Sequence, residues 1–179
     1  MSQRWIVTAL GKDQPGIVAG VTKILYTRGC NLEDSAMTRL ESEFAVMLIF
    51  STKNTSESSL RAAFAPLQKK LKLAVHLKAL SSSETKSPKR GQTHMISVYG
   101  ADKPGIVYKI SESLAKARVN ITDVHTHRST GRGPSLYLLL LEAELPSRMT
   151  SATLEQHLKT LGKSLGVEVS LRSSDPTVL

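Results

Sequence analysis

Gly11-Lys12-Asp13-Gln14-Pro15-Gly16-Ile17-Val18 returns 89 positions later as Gly100-Ala101-Asp102-Lys103-Pro104-Gly105-Ile106-Val107, with six of the eight residues unchanged. The same ungapped shift lays Leu25, Asn31, Asp34 and Arg39 on Leu114, Asn120, Asp123 and Arg128. Identities clustered this tightly mark an internal duplication, and a duplication settles architecture before any single residue is interpreted. Further on, Gly131-Arg132-Gly133-Pro134 lengthens a turn of the second copy, after which Phe64, Leu67 and Leu71 correspond to Leu158, Leu161 and Leu165. Residues 81–91 are polar and aperiodic and read as a linker. The expected division is a first domain over 1–80, a linker over 81–93, a second domain over 94–174 and a tail over 175–179.

Both copies have one order of elements. Residues 5–10 are a short β-rich run that ends at Gly11. From Pro15 the period changes: Ile17, Val18, Val21, Ile24 and Leu25 recur at helical spacing, and Gly29 follows as a left-handed stop. Residues 32–38 and 44–50 read as strands joined by the polar turn Leu40-Glu41-Ser42-Glu43. Leu60, Phe64, Leu67 and Leu71 make a second amphipathic helix, and Leu73, Val75 and Leu77 alternate as a last strand. The second copy repeats this with strands near 95–99, 121–126, 136–142 and 167–171 and helices near 105–117 and 151–165. The order βαββαβ is the ferredoxin-like split βαβ, so the expected fold is α+β: two tandem antiparallel sheets, each with its helices on one face. Unbroken apolarity along the third strands predicts cover on both sheet faces, and helices supply only one, which leaves the other for a second sheet or a partner. A dimer or larger assembly is expected.

At 179 residues there is room for two small domains and not for a large enzyme, and 40% hydrophobic with 22% charged residues is the composition of a folded chain. The longest apolar stretches, 44–50 and 136–141, fall well short of the roughly 20 residues that cross a bilayer. Met1-Ser2-Gln3-Arg4-Trp5 has none of the marks of a secretory signal. Cys30 is the only cysteine, which excludes disulfides within the chain and cysteine-rich zinc sites, so a reducing cytoplasm is the expected compartment. The formal charge of +9 favours an anionic partner on electrostatics alone. It is not concentrated: residues 1–80 carry 11 basic and 6 acidic groups, and 94–179 carry 10 and 8. A solvated surface fits that spread better than a nucleic-acid footprint.

The repeated loop lies where strand one passes into helix one. Proline near the first helical position presets φ where no amide donor is needed, and glycine beside it lets a ligand approach the backbone. The amides of Gly16, Ile17 and Val18, and of Gly105, Ile106 and Val107, then stand at the positive end of a helix, which favours a carboxylate. Asn31 and Asn120 open strand two and are expected close by, and a side-chain amide can accept from an ammonium and donate to a carboxylate. The combination suits a zwitterionic α-amino acid. It also admits a purely structural reading, in which Asp13 and Asp102 cap helices, the glycines permit packing and the asparagines shape turns.

The pattern Asp-x-Pro-Gly-Ile-Val, a helix, Gly-x-Asn-hydrophobic-x-x-Asp and an apolar strand resembles the ACT domain, a small amino-acid-sensing regulatory module. Both copies carry it, and the tandem arrangement resembles the glycine cleavage system transcriptional repressor family. The resemblance implies ligand binding between the strand-one loop and a domain interface. The candidate set is Asp13, Gly16, Ile17, Val18, Asn31 and Asp34 in one copy and Asp102, Gly105, Ile106, Val107, Asn120 and Asp123 in the other. By the same resemblance the ligand is a small amino acid, glycine or serine, and the partner a regulatory or enzyme protein, with a role in glycine, one-carbon or amino-acid metabolism genes. Arg118 replaces the glycine found at Gly29, so the two sites need not be equivalent.

Other chemistries find less support. No Gly-x-Ser-x-Gly, His-Glu-x-x-His or phosphate-loop pattern occurs, and no catalytic residue, metal or cofactor is expected. Cys30 reads as a small buried hydrophobe. His125 and His127 share one face of a strand but lack an evident third ligand, so they read as polar contacts at an interface. The βαββαβ order also serves RNA-recognition domains, which stack bases on strand aromatics; here aromatics are 4% of the chain and absent from the required pattern, so direct nucleic-acid binding is not expected. The alternatives carried forward are a detached regulatory subunit of an amino-acid-metabolic enzyme and a direct DNA- or RNA-binding protein.

Overall fold

Alternation along the first strand orients the first sheet. In the computed structural model, which describes residues 2–53, 55–81, 92–129 and 135–173, Trp5, Val7 and Ala9 are buried on one face of β1 (Gln3–Lys12), and Ile6 and Thr8 on the other stay partly exposed. The chain then forms α1 (Ile17–Thr27), β2 (Asn31–Leu40), β3 (Glu43–Thr52), α2 (Glu57–Leu71) and β4 (Ala74–Leu80). The second copy forms β5 (Thr93–Ala101), α3 (Ile106–Lys116), β6 (Asn120–Arg128), β7 (Leu136–Glu144), α4 (Ser151–Leu165) and β8 (Val167–Ser173). The sheets run β2-β3-β1-β4 and β6-β7-β5-β8, with every neighbouring pair antiparallel. Two tandem ferredoxin-like modules result, as the periodicity predicts. The chain divides at Ser87/Pro88. Most of the expected linker, the lengthened turn at 131–134 and the tail at 175–179 lie outside the described residues.

Each module has its own core. Val21 and Leu25 of α1 and Leu60 and Phe64 of α2 pack on Val7, Val46, Leu48 and Phe50; Ile106, Ile110 and Leu114 of α3 and Leu154 and Leu158 of α4 pack on Ile96, Val98, Leu139 and Leu141. Helix α1 stops where Gly29 turns left-handed at φ 62°, so that Cys30 N donates to Leu25 O at 3.0 Å. Arg118 adopts the same conformation at φ 57°, with Val119 N donating to Leu114 O at 2.9 Å.

The cover expected on both sheet faces is not supplied within a module. Helices bury Val46, Leu48 and Phe50 of β3, while Met47 and its neighbour Leu10 stand half-exposed on the other face. Tyr99 does the same in the second module. The edge strand β2 is exposed along its whole length. Cys30 is half-buried against the core rather than fully inside it, and that burial raises its thiol pKa above the ordinary value despite the Thr52 hydroxyl and Arg28.

Candidate functional site

At the end of β1 the loop is tied down by its own polar groups. Asp13 N donates to Ser42 O at 2.7 Å, and the Gln14 side-chain amide donates to Leu71 O at 3.0 Å, closing the C-terminus of α2. In the second module Asp102 N donates to Ser135 O at 3.0 Å and the Lys103 ammonium to Leu165 O at 3.3 Å. Gly16 and Gly105 are the N-cap residues, with φ of 98° and 89°, a left-handed conformation that side chains with a Cβ resist. Pro15 and Pro104 thus sit just before the cap rather than in the first turn.

Neither helix receives a side-chain cap, and neither has an acidic residue in its first turn. Asp13 and Asp102 do not cap the helices, because their carboxylates reach sideways to Arg39 Nη1 at 3.5 Å and Arg128 Nη1 at 3.7 Å, at the far ends of β2 and β6. Ile17 and Ile106 bury their side chains and anchor the first turn, and Val18 and Val107 are part-exposed. The arrangement leaves the first-turn amides without a side-chain acceptor, with the Asp–Arg pair beside them.

Asn31 and Asn120 are not close to these loops. Because a βαβ crossover returns the chain to the end where it began, β2 runs parallel to β1 and opens beside its start. Asn31 faces Ser51 while Gly11 faces Phe44, and Asn120 faces Glu144 while Gly100 faces Tyr137. Seven strand positions separate the two ends, about 23 Å at 3.3 Å per residue. Asp34 and Asp123 belong to the asparagine end. Each accepts from the next backbone amide, Ser35 N at 2.8 Å and Val124 N at 2.9 Å, beside a register shift common to both strands. The predicted residues therefore fall into two groups per module: Asp13, Gly16, Ile17 and Val18 at one end, Asn31 and Asp34 at the other.

Each asparagine lines a cavity. That at Asn31, about 490 Å³, is walled by Arg28, Gly29, Ser51, Thr52 and Lys53. That at Asn120, about 750 Å³, includes His94, Arg118, Glu144, Thr150 and Ser151. Beside the first, the Ser51 hydroxyl and then Arg4, whose Nε lies 2.6 Å from Glu33 Oε2, hold the Glu33 carboxyl below its ordinary pKa. His94, Glu144 and the cavity itself went unread in the sequence, and comparing Trp5 with His94 across the repeat was the available signal. On β6, His125 Nε2 lies 2.9 Å from Asp123 Oδ2, and His127 is exposed on the same sheet face.

The sequence profile of the ACT domain matches residues 3–78 and again 92–172. The chain is 24% identical over 168 residues to the glycine cleavage system transcriptional repressor of Escherichia coli strain K12, covering 93% of this chain and 87% of that protein. Its fold superposes on an unknown protein from Galdieria sulphuraria with TM-score 0.81 at 22% identity, over 98% of this chain and 100% of the other. A provisionally named glycine cleavage system transcriptional repressor gives 0.77 at 20% identity, over 98% and 99%.

Proposed function

We propose, for a chain that belongs to the ACT-domain family in both of its halves, that it senses a small amino acid and passes the signal on by protein contact rather than by chemistry. The observation carrying the proposal is the pair of helices that begin on a left-handed glycine with no side-chain cap and no first-turn acid. Those amides receive the ligand carboxylate. Asn31 or Asn120 can reach the same ligand only where one copy of the module meets another, since the two ends of a single module lie too far apart. The half-exposed apolar residues on the open sheet faces supply a surface for such self-association, so light scattering should show a dimer or larger. The E. coli relative is by name a transcriptional repressor of the glycine cleavage system; by that kinship the process regulated here is glycine or one-carbon metabolism, in the cytoplasm, with glycine or serine as ligand. No helix among the described residues is long and apolar enough to cross a membrane.

A thermal-shift screen against the twenty amino acids tests this. A ligand at a hundred times its Kd that binds only the native state adds about 2.7 kcal/mol. Asn31→Ala and Asn120→Ala should shrink the shift without unfolding the protein. A partner that regulates through the same equilibrium must bind differently with and without ligand, which pull-downs from native lysate would show. A melting temperature indifferent to every amino acid removes the sensing role.

A further inference from the structure

We infer that the second module holds a ligand cavity that the first does not, at the asparagine end of its sheet, built for a small carboxylate that also carries an N–H or O–H donor. It lies at the opposite end of the sheet from the glycine loop and does not depend on the reading above. His94 is 1% exposed, and its Nε2 is buried without a hydrogen-bond partner. Its Nδ1 lies 2.9 Å from the backbone oxygen of Gln92, which can only accept, so Nδ1 is the donor of that bond, and in the tautomer with its single proton there Nε2 is an acceptor without a partner. A buried polar atom left in that state is costly and calls for a partner. His94 lines the cavity together with Arg118, Asn120, Glu144 and the first turn of α4.

The repeat supplies the control. Where the second module has His94, Arg118 and Glu144, the first has Trp5, Gly29 and Ser51. Trp5 also has an unpartnered nitrogen, but its indole packs into the hydrophobic core and does not line the smaller cavity of that module. Arg118 holds the left-handed conformation that Gly29 adopts at no steric cost, so a strained backbone is retained for the sake of a side chain. Among the described residues no hydrogen bond or ion pair occupies the side chains of Arg118, Asn120 or Glu144. The division of labour follows from charge. Arg118 and the α4 N-terminus, capped by Thr150, take the carboxylate; His94 Nε2 and Glu144 accept from the donor on the neighbouring carbon.

Propionate, L-lactate and L-alanine share a carboxylate and a methyl group and differ in carrying no donor, a hydroxyl or an ammonium. The readout is the imidazole nitrogen NMR resonance of His94, assigned by its loss in His94→Trp, during titration of the full chain with each acid. Alanine and lactate should move that resonance and propionate should bind about tenfold more weakly or worse, the factor that one hydrogen bond of ~1.4 kcal/mol makes. Arg118→Gly, which relieves the strained backbone and so keeps the fold, should weaken binding by at least a similar factor. If all three acids bind alike, if none moves His94, or if Arg118→Gly binds as the native chain does, the inference fails. Alanine binding that leaves His94 unmoved would overturn this site while leaving the glycine-loop reading intact.

Discussion

A backbone φ of 98° at Gly16 and 89° at Gly105 is where a single residue type governs the loop. A Cβ at either position would meet nothing within 4 Å, so Gly16→Ala or Gly105→Ala adds no clash. The cost is conformational, about 1–2 kcal/mol each by chemical denaturation. Glu33 gives a pH prediction at the same scale. Its native pKa is lowered, so its contribution to stability is present above the unfolded value of about 4.3 and is lost as pH falls through the native one. Glu33→Gln should therefore cost about 0.2–1 kcal/mol at pH 7, a surface-pair magnitude, and the difference from the native chain should vanish in strong acid.

Among the elements, α2 is the one that departs from its own propensity. Pro66 sits inside it, exposed, where it can donate nothing to the Ala62 carbonyl, while the second module has Thr160 in the corresponding turn, its hydroxyl donating to Gln156 O at 3.0 Å. Pro66→Ala should stabilise the protein by about 1–3 kcal/mol, read as a rise in denaturant midpoint. The strands extend past the runs that periodicity marks: β1 begins at Gln3 and β8 ends at Ser173. Those added residues are mostly polar and exposed, so hydrogen-bonded ladders continue where the apolar alternation that reveals them has stopped.

At the scale of the molecule, the two cores share no buried residue among the described residues, Trp5 to Leu77 in one cluster and Ile96 to Val169 in the other. Each should fold alone: fragments 2–81 and 92–173 are expected to melt cooperatively by circular dichroism. A fragment that stays unfolded would show its module to need the other. The duplication, the βαββαβ order and the helix stop at Gly29 were legible in the sequence, because each rests on local periodicity, on a left-handed position or on one segment matched against another. What sequence by itself could not place was the distance between groups that the chain joins. Asn31 stands 15 residues after Gly16 and looked near it, yet a helix and a parallel crossover carry it to the far end of the sheet. Nor does any pattern show that His94 and Glu144, 50 residues apart, line one cavity, since register between strands brings them to the same end and only the packed fold decides which side chain leaves room there.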